Sequence, residues 1–157
     1  PEEETRVLAA WQLPLPHVRQ LKELHQSVLD LASAYRQNGD EASAQAALLY
    51  NLLLGQQLAE SGPILHPLIH QIVGLIIQRN TLSAFDPATP YGTSGETVAS
   101  RLAQVVRERD TLKAMFDRMD TLKFALSPQD WIAFTDRAIV FGDANAVQWA
   151  INKYGNQ

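Results

Sequence analysis

The sequence predicts an all-α protein, a helical bundle or short stack of helical hairpins with about five or six helices around one apolar core. Three observations predict it. Apolar residues recur at intervals of three and four along most of the chain, the period of a helix with one buried face. Gly, Pro, Asp and Ser fall where those stripes stop and restart. No window alternates strictly between apolar and polar residues, so no sheet is expected.

Residues 1–16 read as a helical tail followed by a proline linker, and 17–157 as a single domain. The acidic run Glu2-Glu3-Glu4 suits a helix N-terminus, and Val7, Leu8 and Trp11 follow at helical spacing. Leu13-Pro14-Leu15-Pro16 stops that helix, because proline disfavours helical geometry in the residue before it.

From His17 to about Asn38, the stripe Val18, Leu21, Leu24, Val28, Leu31, Tyr35 predicts an amphipathic helix. Gly39 ends it and Asp40 caps the next, which runs to about Glu60 through Ala44, Ala47, Leu48, Leu52 and Leu58. Gly62-Pro63 opens a third helix, from about Ile64 to Phe85. It is apolar nearly all round, so it must be covered on several sides and forms the buried centre of the fold. Gly74 inside it marks a close helix crossing, since glycine otherwise costs ~1 kcal/mol against alanine there.

Asp86 to Gly95 is a loop dense in Pro, Gly, Ser and Thr, and Thr93-Ser94-Gly95-Glu96 reads as a capping box. In the fourth helix Val98, Leu102, Val105, Arg109, Leu112, Phe116 and Met119 are spaced by fours and threes, a coiled-coil-like seam. That helix runs to Leu126 or breaks near Asp120. Ser127-Pro128 opens a fifth, with Trp131, Phe134, Ala138 and Phe141 on one face. Gly142 stops it, Asp143 caps a last helix, and Val147, Ala150, Ile151 and Tyr154 form the final stripe.

The segment Leu31-Ala32-Ser33-Ala34-Tyr35, with Gly39-Asp40 and Ala44, resembles the first hairpin of a tetratricopeptide repeat. Phe141-Gly142-Asp143 with Val147 echoes the turn about three ~34-residue periods later. The pattern departs from the family at Gln56, where a proline would stand. The resemblance implies small residues packing two helices, a Tyr filling their groove, and peptide or protein binding on a concave surface.

Composition narrows the function classes. The 157 residues are 46% hydrophobic, enough for a sizeable core and far from the make-up of a disordered chain. The net charge of −4 has no clustered basic face, which argues against nucleic acid as a partner. Without cysteine there are no disulfides, thiolate metal sites or cysteine nucleophiles. The apolar stretch Ile64–Ile77 is shorter than the ~20 residues of a membrane span. The compartment is left open; a signal peptide or anchor removed ahead of Pro1 would make the fragment extracytoplasmic.

No GxSxG, phosphate-binding loop or dinucleotide fingerprint occurs, so the sequence points to no cofactor and to an interaction or scaffolding module rather than an enzyme. Its partner is expected to be a protein or peptide, with a homodimer through the 98–119 seam as one form. Trp149 lies off its helix's stripe and Tyr91 sits on the loop, so both are candidate binding residues. Arg109, a charge within the seam, is the third. The alternating charges from Arg101 to Lys123 read as a solvated face with pairs such as Lys113–Asp117. The alternative function is a ligand-binding or sensory bundle, with a small-molecule or metal pocket near His66 and His70; these lack the glutamate of a metalloprotease pair.

Overall fold

A computed structural model describes residues 16–60 and 68–155. Among them are six helices: α1 (Pro16–Gln37), α2 (Glu41–Ala59), α3 (Leu68–Leu82), α4 (Val98–Leu122), α5 (Pro128–Phe141) and α6 (Asp143–Tyr154). The expected N-terminal tail, residues 64–67 of the third helix and the Gly62-Pro63 break lie outside the described residues. α1 packs on α2, α2 on α3, α3 on α4, α4 on α6, and α6 on α5, so the described helices form a stack with α1 and α5 at its ends. None of the described helices is long and apolar enough to cross a membrane.

The α1–α2 turn follows from its sequence. Gly39 takes φ +77°, which a side chain would resist, and this lets Gly39 N–H reach Arg36 O and Asp40 N–H reach Tyr35 O. Asp40 then accepts from Ser43 N at 3.0 Å and starts α2. The buried line of α1 differs from the predicted stripe. Ala32 and His25 are its buried residues, while Leu24 and Leu31 are about half exposed. Ala32 meets Ala44 and Leu48 of α2, and a contact built on small side chains draws the helices together and displaces the leucines to the flanks.

α3 occupies the centre, with Leu68, Ile72, Val73, Leu75, Ile77 and Leu82 all buried. A methyl placed on Gly74 would lie 2.5 Å from Ala59 N and 2.6 Å from Gly55 O. One on Gly55 would lie 2.9 Å from Gly74 O. The two glycines therefore let the α2 and α3 backbones touch, as Gly74 predicted; its counterpart Gly55 did not stand out in the sequence.

After α3 the chain forms a short antiparallel hairpin, β1 (Pro90–Tyr91) and β2 (Glu96–Thr97), where no sheet was expected. Two-residue strands are too short to show alternation. Gly92 and Gly95, both at positive φ, reverse the chain so that Glu96 faces Tyr91 instead of completing a capping box with Thr93. The box forms four residues later, between Thr97 and Ser100.

The seam of α4 is occupied within the chain. Val98, Leu102 and Val105 pack with Leu52, Leu75 and Leu82, and Phe116 and Met119 pack with Ile72, Ala146 and Val147. α4 ends at Leu122. Ser127 caps α5 in a reciprocal box with Asp130, and Pro128 holds the first helical position. Trp131 and Phe134 are buried edge to face, whereas Phe141 is exposed at the helix end. Asp143 does not cap α6, whose N-terminal Gly142 carries no side-chain cap. Its carboxylate accepts instead from Leu68 N at 3.2 Å, closing the first described turn of α3 across the fold. Burial raises the Asp143 pKa, against the Leu68 N–H and the charge of His70, which lower it.

Candidate functional site

The three residues singled out from the sequence have different partners, and no two of them share one. The Arg109 side chain is mostly buried and pairs with the neighbouring Asp110 at 2.5 Å. Trp149 is half-buried in the α5–α6 packing, with Arg137 and Lys153 over its ring at 5.5 and 5.3 Å. Tyr91 is not an exposed loop tip. It is half-buried in β1, and its hydroxyl accepts from Gln56 Nε2 at 2.7 Å. Of the His66–His70 pair, His66 lies outside the described residues, and His70 is half-buried near Asp143. Among the described residues no three His, Asp or Glu side chains gather as a metal site.

Tyr91 leads to a polar cluster that the sequence reading missed. The Arg101 guanidinium lies 6.0 Å from the Tyr91 ring centre, and Arg101 Nη2 donates to Gln78 Oε1 at 3.1 Å. Gln78, fully buried, donates in turn to Gly55 O at 3.2 Å. Arg101 Nη1 stands 3.8 Å from Glu108 Oε1, and that oxygen accepts from Gln104 Nε2 at 2.9 Å. Arg101 Nε is buried with no acceptor. Of these groups Gln56, Gln78, Arg101 and Glu108 line a cleft of about 290 Å³ between the C-terminal end of α2, α3 and α4, bounded also by Ala59, Glu60 and Leu75. A second cavity of about 340 Å³ shares Ala59, Leu75 and Glu108 and continues past Leu112 and Arg107. Carboxamides, a guanidinium, a phenol and carboxylates are groups of recognition, with no nucleophile held against a base. Arg101 and Glu108 had been read as part of a solvated face, yet they are seven residues apart and share the α3-facing flank of the seam. That spacing was the available signal.

A second polar cluster is structural. Asp130 accepts from Lys153 Nζ at 2.5 Å, from Ser127 Oγ at 2.5 Å and N at 3.1 Å, and from the Tyr154 hydroxyl. These bonds, Lys153 first, hold its carboxyl far below the usual carboxylate range. The same contacts raise the pKa of Lys153 and of Tyr154. Both oxygens of Asp130 are engaged and Tyr154 is made a weaker acid, so the cluster latches the start of α5 to the end of α6 and offers no activated nucleophile.

His25 joins three helices. Asn51 Nδ2 on α2 lies 2.7 Å from His25 Nδ1 and donates to His25 O at 3.3 Å, and Asn80 Nδ2 on α3 lies 3.3 Å from His25 Nε2. A neutral imidazole accepts at one nitrogen only, so one of the two amides turns its oxygen to the ring.

Two helices carry apolar side chains that the described helices leave uncovered. On α5, Ile132 and Ile139 are about 60% exposed, and Val140 and Phe141 lie beside them, also exposed. Seven residues apart, the isoleucines share one stripe, on the flank opposite Arg137 and Trp149. On α2, Leu49, Tyr50 and Leu53 form a similar outward group. Compared with known proteins, the chain matches no family model, no curated protein and no solved structure.

Proposed function

We propose that this chain is a non-catalytic helical interaction module, with a tetratricopeptide-like first hairpin, that docks a protein partner through the outward face of α5. The observation that carries this reading is the Ile132–Ile139 stripe with Val140 beside it, three large aliphatic side chains more than half exposed on a helix whose opposite face is packed. Single exposed apolar residues are ordinary, but a stripe repeated at helical spacing is the pattern that a partner helix covers with its own ridges. The Asp130 latch supports the reading, because it holds α5 to α6 and so presents a preformed surface.

A photocrosslinking residue placed at Ile139 in the native host tests the proposal. One discrete adduct is expected, and it should disappear when Ile132→Asp is added while the melting temperature holds. Diffuse labelling, or an adduct indifferent to Ile132→Asp, would overturn it.

A further inference from the structure

We propose that the cleft around Arg101 binds a small zwitterion, an α-amino acid with an apolar side chain. Its carboxylate is taken by the Arg101 guanidinium, its ammonium by the Glu60–Glu108 side, and its side chain by the cavity past Leu75 and Leu112.

Three features of the cleft support this assignment. The first is the state of Arg101. Its guanidinium has five N–H donors, of which one makes a hydrogen bond, to Gln78 Oε1. The approach of Nη1 to Glu108, at 3.8 Å, is longer than a hydrogen bond, and Nε has no acceptor. Buried donors are almost always satisfied, because leaving one without a partner forfeits the hydrogen bond it made to water. A carboxylate is the group best matched to a guanidinium with donors to spare.

The second is charge on the facing wall. Glu60 borders the cleft, is exposed, and has no cationic partner among the described residues. It stands at the C-terminal end of α2, where the helix dipole adds negative potential. Glu108, on α4 beside Arg101 and not across from it, borders both cavities. A purely anionic ligand would meet these acids unfavourably, whereas a molecule with both charges complements both sides.

The third is shape and polarity. The 290 Å³ cleft holding the charges adjoins the 340 Å³ cavity, with which it shares Ala59, Leu75 and Glu108 and which also borders Leu112. The first volume is at the small end of ligand sites, suited to a metabolite rather than a cofactor. The walls are fixed in advance, since the Gly55–Gly74 contact locks α2 on α3 and Gln78 ties Gly55 to Arg101.

The test is an NMR titration of the whole chain with L-leucine, followed with N-acetyl-L-leucine and L-leucine methyl ester, which each lack one charge. Saturable shifts confined to amides around Ala59, Leu75, Arg101 and Glu108 are expected, with each analogue at least about tenfold weaker. Glu60→Gln, an exposed change that leaves folding intact, should weaken L-leucine by a similar factor. Arg101→Gln should abolish the response, its folding checked by the unchanged spectrum elsewhere. No saturable shift from leucine, isoleucine, valine or phenylalanine up to about 10 mM would overturn the proposal. So would equal binding of the two analogues and the free amino acid.

Discussion

α2 and α3 are almost equally apolar, yet they end in different situations. α3 is enclosed by α1, α2 and α4, and ten of its fifteen residues are buried. α2 is enclosed on two sides only. One side meets α3 through Gly55 and Gly74, a second meets α1 through Ala44 and the His25–Asn51 joint, and the third turns Leu49, Tyr50 and Leu53 outward. Apolarity sets how much surface a helix is able to bury. Position in the stack decides how much it does bury. The surplus on α2 is left on the side that neither α1 nor α3 covers, and the stripe on α5 where the stack of described helices stops.

This contrast can be tested by substitution. Ile77, fully buried on α3, should lose about 2–5 kcal/mol of unfolding free energy as Ile77→Ala, by lost transfer energy and an unfilled cavity. Urea titration measures it, and a loss below that range would mean that α3 is not enclosed. Gly74→Ala should cost about 1–3 kcal/mol, because the new methyl meets α2 backbone that has no rotamer through which to yield. The gain in helix propensity, ~1 kcal/mol, offsets only part of this. A neutral or stabilising result would show that the helices do not touch there.

The α1 side of α2 should respond to pH. Burial lowers the His25 pKa, and the Asn51 contact opposes this only in part. The unfolded chain therefore takes up its proton at higher pH than the folded one. The stability of the joint is complete above the unfolded value of ~6.5 and is lost as pH falls toward the folded value. Chemical denaturation at pH 7.5 and pH 5.5 should show this decline in the wild type and a flatter response in His25→Gln. Equal slopes would place the titration elsewhere. The smallest effect is expected on the open side, where Leu49→Ser with Leu53→Ser should change stability by no more than about 0.5 kcal/mol each. A larger loss would mean that this face is covered.

The turns were the most legible part of the fold. Gly39-Asp40 and Ser127-Pro128 each placed a helix end correctly, because a positive φ and an N-cap are local demands that particular residues meet. Gly74 announced a close crossing for the same kind of reason: a glycine in a helix is costly unless another backbone needs the space. The Lys113–Asp117 pair, an i,i+4 contact, was equally readable and stands at 2.6 Å. The candidate site was not. Gln56, Gln78 and Arg101 lie on three helices, and none of them carries a local signature of its cross-helix partners. Asp143 shows how such partners can mislead: it follows a helix-ending glycine as a cap would, but it is the first residue of α6 and serves Leu68 on another helix.

Taken alone, the order of residues determined the all-helical class, the positions of most turns and the strongly apolar character of α3, since these depend on spacing and on the conformational limits of single residues. Tertiary structure decided which side of α1 is buried, which side of α2 and α5 stays open, and which polar groups meet around Arg101. Those outcomes depend on contacts between segments far apart in the chain, where the shape and size of the facing surface select one arrangement from several that the same periodicity allows.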